Sequence, residues 1–223
     1  MRTIRWCSVL LIAVAVTACA PGVPVERVCR DAPTRYFPIG SFTDLLRDLP
    51  WVFPWKNDDG DLSVRGRYSL YLSAMQEPPL SCGAIEDAET YRFLLIPSFQ
   101  KPAAVRIYRR GIRFGLEAVV LDRQDTPEHT TDGMAGYGPG KILRRVTKDL
   151  SPAQWQSVLT ALRNAGFWRM TTGVRDLIGI DGADFIIEAR REGRYHVVNR
   201  HGGDEGTGEI GDLFLKLAGL PGA

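Results

Sequence analysis

The first nineteen residues combine two positive charges with a short apolar segment, and this combination constrains where the rest of the chain can fold. Arg2 and Arg5 are the only charged residues before Cys19, and the apolar segment runs from Trp6 to Val16. This segment is too short for a membrane-spanning helix, which needs about 17–25 apolar residues. A positive start, a short apolar stretch and small residues at a cleavage point are the three parts of a secretory signal. We therefore predict export, and folding where disulfides persist.

The end of the apolar segment has the sequence Val16-Thr17-Ala18-Cys19. An aliphatic residue, two small residues and a cysteine in this order resemble the lipobox of bacterial lipoproteins. The resemblance implies that residues 1–18 are a signal peptide and that Cys19 becomes a lipidated N-terminus. A single acyl chain binds a membrane only marginally, so the two or three chains usual in that family would make the anchor stable. The alternative is an ordinary secretory signal, cleaved near Ala18 or Ala20.

The residue after the cysteine and the charge of the remaining chain bear on location and partners. In lipoproteins an aspartate after the cysteine favours the inner membrane, so Ala20 implies the outer membrane, facing the periplasm. The chain has 28 basic and 26 acidic residues, and loss of Arg2 and Arg5 leaves equal numbers of each. A neutral mature chain argues against nucleic acid as a partner, because nucleic-acid binding requires a basic face or stripe.

Two cysteines, Cys29 and Cys82, remain once Cys7 leaves with the signal and Cys19 is modified. An even pair in an oxidising compartment predicts a disulfide, which would stabilise the domain by about 4 kcal/mol in the chain-entropy model. Two unpaired buried thiols are the alternative. These cysteines lack further ligands at zinc-binding spacing, so we predict neither a metal nor a cofactor.

Residues 19–35 read as the lipidated cysteine and a short tether, and residues 36–223 as a single α+β domain. The predicted architecture is an antiparallel β-sheet meander with two or three helices packed on one face. The predicted helices begin at Ser41, at Ser151 and before Ile210. A further short helix is expected around Ser69 to Gln76, where a strand is the alternative. The predicted strands cover Tyr91 to Phe99, Ala103 to Tyr108, Ile112 to Leu121, Ile142 to Val146, Phe185 to Ala189 and Tyr195 to Val198. The segment from Asp122 to Lys141 reads as a polar, glycine-rich loop.

Several short motifs in this domain resemble those of uncharacterised exported bacterial proteins. They are Glu77-Pro78-Pro79-Leu80, Tyr91 to Leu95, Gly136 to Gly140, Phe167-Trp168 and Tyr195 to Arg200. The resemblance implies a shared fold but no particular activity.

Acidic and histidine side chains near the C-terminus are the candidates for an enzyme site. Asp181 and Asp184 flank Gly182, and His201 and Asp204 lie in a second glycine-rich stretch. Carboxylate and imidazole groups can perform acid–base chemistry when they are held together, but both stretches are equally typical of turns. The glycine-rich segment ending at Lys141 lacks the glycine and hydroxyl residues of a phosphate-binding loop. We therefore assign no catalytic residue.

An aromatic segment, Trp51-Val52-Phe53-Pro54-Trp55, provides the candidate partner surface. Trp51, Phe53 and Trp55 follow the anchor closely, and aromatic rings suit a membrane interface or a partner protein. Packing in the core is the alternative use for these rings.

Taken together, these features favour a membrane-anchored envelope lipoprotein whose domain binds or scaffolds another envelope protein or a cell-wall component. A periplasmic hydrolase that uses Asp181, Asp184, His201 and Asp204 is the alternative. An immunity or inhibitor protein against a secreted toxin is a further alternative.

The lipobox yields the first testable prediction. Cys19→Ser should abolish incorporation of radiolabelled palmitate and leave the protein unprocessed or released, because the thioether needs the cysteine sulfur. Labelling and membrane fractionation of cells that express the two forms would measure this. A variant that still labels and still sediments with membranes would show that the lipobox interpretation is wrong.

Overall fold

The computed structural model describes residues 36–42, 57–81, 89–122, 126–129, 135–173 and 182–222. The predicted signal peptide and tether lie outside these residues, as do Cys19, Cys29, Cys82, Asp181 and the aromatic residues Trp51, Phe53 and Trp55. Within the described part of the chain, no helix has the length and apolar character that a membrane crossing requires.

A six-stranded antiparallel sheet forms the centre of the domain, with the strand order β6-β3-β2-β1-β7-β8. Its strands are β1 (Glu89–Pro97), β2 (Ala103–Arg110), β3 (Arg113–Leu121), β6 (Ile142–Asp149), β7 (Ala183–Arg191) and β8 (Arg194–His201). The helices are α1 (Asn57–Ala74), α2 (Pro152–Asn164) and α3 (Glu205–Ala218), and a 3₁₀ turn spans Phe167–Arg169. This arrangement confirms the predicted α+β class and the antiparallel sheet.

Each face of the sheet is covered by its own hydrophobic core. Helices α2 and α3 pack on one face, where Trp155 contacts Tyr91 and Phe214 contacts Phe93, both on the central strand β1. Helix α1 and residues 36–42 pack on the opposite face, where Tyr71 and Leu72 are among the buried residues. The expectation of two or three helices on one face therefore holds for α2 and α3. The sheet needs α1 on the other face because apolar residues in its central strands point both ways.

Two segments differ from the sequence-based prediction. The helix expected around Ser69 to Gln76 is the end of α1, which begins at Asn57. Two glycines and several acidic residues weaken the helical pattern of its first half. The predicted loop from Asp122 to Lys141 contains a two-stranded sheet of β4 (Thr126–His129) and β5 (Ala135–Gly138). The sequences of β4 and β5 lack the apolar alternation that predicts a strand, so the sequence alone predicts a loop there. Only the backbone pairing shows that they are strands.

Helix caps and turns agree closely with the sequence signals. Ser151 caps α2, and the reciprocal bonds with Gln154 complete the predicted capping box. The β7–β8 hairpin turns at Glu192-Gly193, where both residues have positive φ angles of 51° and 72°. Such a pair is typical of the tight turn that matches strand twist. Gly219 ends α3 in the left-handed conformation, as predicted.

The stretch after His201 was expected to be a solvated loop, and this expectation is wrong for its second half. Helix α3 begins there, and Asp204 is its N-cap. One carboxylate oxygen of Asp204 accepts hydrogen bonds from the Thr207 backbone N–H (2.7 Å) and hydroxyl (2.6 Å). The periodic apolar residues of α3 start only at Ile210, so the pattern by itself placed the helix start too late.

Asp204→Ala should lower the free energy of unfolding by about 1 kcal/mol, the usual loss when an N-cap side chain is removed. Urea unfolding followed by far-UV circular dichroism would measure the change. Glu209→Ala, an exposed site on the same helix, is the matched control and should stay within about 0.5 kcal/mol. Equal losses in both variants would contradict a capping role.

Candidate functional site

The α1 face of the sheet carries a row of charged side chains that crosses four strands. Glu117, Arg106, Arg92 and Glu188 stand directly opposite one another on β3, β2, β1 and β7. The two arginines are thus neighbours, and like charges directly opposite each other destabilise a sheet. Both guanidinium groups are buried, so they need negative partners.

The outer members of the row and a loop residue supply these partners. Arg92 donates from Nε to Oε2 of Glu188 (2.7 Å), and Arg106 donates to Oε2 of Glu117 (2.7 Å). Glu77, which follows α1, places Oε2 between the arginines, at 2.9 Å from Arg106 and 3.5 Å from Arg92. Burial lowers the pKa of Arg92, but the charges of Glu188 and Glu77 outweigh it and raise this pKa overall. Arg92 therefore stays charged.

Further hydrogen bonds surround this charge row, although Oε1 of Glu77 is buried without a hydrogen-bond partner. The Tyr195 hydroxyl donates to Oε1 of Glu188 (2.8 Å), and Arg92 also donates to the carbonyl oxygen of Pro78 (2.7 Å). The Tyr36 hydroxyl donates to the Glu77 carbonyl oxygen (2.8 Å). These bonds explain the Glu77-Pro78-Pro79-Leu80 motif, because its side chain and its backbone both bind arginines of the sheet. Arg92, Arg106 and Glu188 are buried, so this part of the row has a structural use.

Asp184 and His201, two of the predicted enzyme candidates, are brought together by the β7–β8 pairing. They stand directly opposite each other, and His201 Nδ1 lies 3.2 Å from Asp184 Oδ1. Arg67 of α1 donates to the other carboxylate oxygen at 3.2 Å. The Tyr68 hydroxyl accepts a hydrogen bond from Asn199 Nδ2 at 2.8 Å. Burial, followed by the charge of Asp184, raises the pKa of Tyr68, so this hydroxyl remains protonated.

Gly182 leaves room for the His201 ring beside the backbone. A Cβ atom on Gly182 would lie 2.7 Å from His201 Nε2, and the φ angle of 146° also favours glycine. The Gly182 N–H donates to Oγ of Ser98 (3.1 Å). Ser98 directly follows β1, the strand that pairs with β7. A carboxylate that orients an imidazole is the arrangement that supports general-base catalysis. Here the Asp184 carboxylate also binds the guanidinium of Arg67. This ion pair joins α1 to the β7–β8 hairpin.

Asp204 is not part of this group. It binds Arg200 instead, with Arg200 Nε at 2.9 Å from Oδ2. Arg200 and His201 are adjacent on β8, so their side chains point to opposite faces of the sheet. Partial burial raises the pKa of Asp204, but hydrogen bonds from Thr207 and Arg200 outweigh it and the pKa is lowered overall. Of the four candidates, the structure brings together only Asp184 and His201, and Asp181 lies outside the described residues.

His196 packs in the core on the α2–α3 face, beside Val198 and Ala189, as its strand position predicts. Its ring contacts Phe167 edge-on, with centroids 4.9 Å apart, and stacks on Trp168 at 5.9 Å. Burial lowers the pKa of His196, and the positive charge of Arg194 lowers it further. This histidine is therefore a neutral core residue.

A groove of about 700 Å³ opens at the end of the sheet where β1 stops and β2 begins. It runs between the strands and the end of α3, and its walls are mostly apolar. Phe99 is 82% exposed and Leu143 is 55% exposed at this groove. Lys101, Arg144 and Asp122 add charge to its lining. A volume of this size falls within the roughly 300–1,000 Å³ of small-molecule sites.

Sequence reasoning missed this groove because its lining comes from four separate segments of the chain. The one sequence signal for the groove was a large apolar residue in a loop, Phe99 after β1. The predicted strand from Tyr91 to Phe99 included this residue, so the signal was not recognised. The charge row was also missed, although Arg92 and Glu188 interrupt otherwise apolar strands. A buried charge in such a strand calls for an opposite charge nearby.

Comparisons with known proteins add no assignment to this geometry. The chain matches no protein-family model, no curated protein and no solved structure. Within the residues that the structure describes, no three His, Cys, Asp or Glu side chains cluster in a way that could hold a metal ion.

Replacing Glu77 and Glu117, the two glutamates that bind Arg106, should have unequal effects on stability. Glu77→Gln should lower the free energy of unfolding by roughly 3–5 kcal/mol, because two buried guanidinium groups would face each other without the charge between them. Glu117→Gln is the matched control and should lose less than about 1 kcal/mol, because the Glu117 side chain is 28% exposed. Urea unfolding of both variants would measure the difference. Similar losses would show that Glu77 does not balance the arginines.

Proposed function

We propose that this chain is an envelope lipoprotein, anchored through lipid on Cys19, whose domain is a non-enzymatic binding module. The sequence from Arg2 to Cys19 supports the anchor, because a positive start, a short apolar segment and a lipobox stand in the order of a lipoprotein signal. The absence of Asp after Cys19 favours the outer membrane, with the domain in the periplasm.

The groove at the sheet end is the observation that carries the binding role. Exposed apolar side chains are common singly, but Phe99 and Leu143 here flank a cavity whose walls are also apolar. Leu95, Leu215 and Leu220 from β1 and the end of α3 contribute to those walls. Rigid elements thus hold an open apolar surface, which suits the binding of an envelope component.

The interactions of Asp184 favour this binding role over catalysis. Its carboxylate is shared between His201 and Arg67, which join β7 to β8 and to α1. The bonds of this carboxylate therefore have a structural use, which is to fix the open end of the hairpin. The aromatic segment of Trp51, Phe53 and Trp55 remains a second candidate surface, and it lies outside the described residues.

A periplasmic hydrolase is the second candidate function, and one observation favours it. The 3.2 Å contact between Asp184 and His201 orients an imidazole that is 22% exposed. Such an imidazole could act as a general base on a bound substrate. This candidate predicts that His201 is required for turnover, whereas the binding role needs only the groove.

A photo-crosslinking residue at position 99 tests the binding role in intact cells that express the full chain. Phe99 is exposed at the groove, so we expect a discrete crosslinked product from the envelope. The same residue at position 112 is the matched control, because Ile112 is 93% exposed in the β2–β3 turn at the far end of the sheet. His201→Gln in the position-99 background should leave the product unchanged. Equal products from both positions, or none from position 99, would refute the binding role of the groove.

A further inference from the structure

We infer that the groove binds a single-chain amphiphile with an anionic head, a carboxylate or a phosphate. This inference rests on the proposed binding role and names the chemical class of the ligand. The groove combines two features that such a molecule needs, an apolar wall for an acyl chain and positive charges for its head group.

The apolar part of the groove is built from both layers of the domain. Leu95, Ala103 and Val120 line it from the sheet, and Leu215 and Leu220 line it from α3 and the residue after its C-cap. The groove has a volume of about 700 Å³ and lies between the strands on one side and the helix end on the other. A flexible acyl chain can follow such walls and remove its methylene groups from water.

Two cations, Lys101 and Arg144, lie at the groove, and neither forms an ion pair with another residue that the structure describes. Both side chains are exposed. The lining also contains one acid, Asp122, whose Oδ1 accepts a hydrogen bond from the Lys141 backbone N–H at 2.9 Å, so the groove carries two positive charges and one negative charge. Lys101 and Arg144 can therefore donate charge-assisted hydrogen bonds to a ligand.

Several other cations of the same sheet have carboxylate partners, and Lys101 and Arg144 differ from these in lining an apolar groove. Arg92 and Arg106 bind Glu188, Glu77 and Glu117 in the charge row. Arg109 and Arg191 lie 3.6 Å from Glu89 at the opposite end of the sheet. The groove thus combines Lys101 and Arg144, which form no ion pair with another described residue, with apolar walls. This combination is complementary to an anionic amphiphile. A neutral or cationic amphiphile would leave it unmatched.

Titration calorimetry with dodecanoate tests the inference on the full-length chain carrying Cys19→Ser, which removes the protein's own lipid. Dodecanoate should bind saturably with one site, and a neutral detergent with the same chain length, dodecyl maltoside, should bind at least about tenfold more weakly. The double variant Lys101→Gln/Arg144→Gln should weaken dodecanoate binding by roughly tenfold, because each charge-assisted contact is lost.

Two exposed apolar sites provide the matched pair for the acyl-chain part of the inference. Leu143→Glu places a negative charge in the apolar wall and should weaken dodecanoate binding by roughly tenfold or more. Ile112→Glu introduces the same charge at the far end of the sheet and should leave binding unchanged. Circular dichroism of all variants would confirm that they are folded, since each altered side chain is exposed.

The possible results separate this inference from the binding role on which it rests. Equal affinity for dodecanoate and dodecyl maltoside, or no effect of the double charge variant, would overturn the recognition of an anionic head. A crosslinked product at position 99 that is a protein, together with no saturable binding of dodecanoate, would also overturn the inference. That last result would still leave the groove as a binding surface.

Discussion

The buried pair of Arg92 and Glu188 is the interaction on which the arrangement of the sheet depends. These residues come from β1 and β7, which are far apart in the sequence and stand next to each other at the centre of the sheet. Both side chains are inaccessible to solvent, so any other register would bury one charge without its partner. We expect this requirement to fix the pairing of the meander β1-β2-β3-β6 with the hairpin β7–β8.

The two faces of the sheet have different physical character as a result. The α2–α3 face is an almost continuous apolar core of aromatic and aliphatic side chains, into which the neutral His196 fits. The α1 face combines an apolar cluster with the charge row, the Asp184–His201 pair and the tyrosines that satisfy them. Most polar groups buried on this face are held by hydrogen-bonded partners, which leaves little freedom for chemistry there. The groove lies where the strands end. Its cations Lys101 and Arg144 are exposed there and form no ion pair with another described residue.

Much of the fold followed from local sequence signals, whereas little of the candidate site did. Capping at Ser151, the turn at Glu192-Gly193 and the stop at Gly219 each depend on a few neighbouring residues, and the structure confirms all three. The start of α3 at Asp204 was missed because the capping side chain stands before the apolar pattern begins. The contact of His201 with Asp184 depends on the hairpin register, and that of Arg67 with Asp184 depends on how α1 packs. Such distant pairings have no local signal.

The sequence by itself predicted an export signal and lipidation at Cys19, and it determined the α+β class and the ends of several elements. These properties follow from charge, periodicity and capping chemistry, which act over a few residues. Only the tertiary structure decided that α1 covers the second face, that Glu77 separates Arg92 from Arg106, and that Lys101 and Arg144 share a groove with Leu95 and Leu215. Each of these results joins segments that are distant in the chain. They arise because buried charges and apolar surfaces must be matched across the whole domain, which no local pattern can specify.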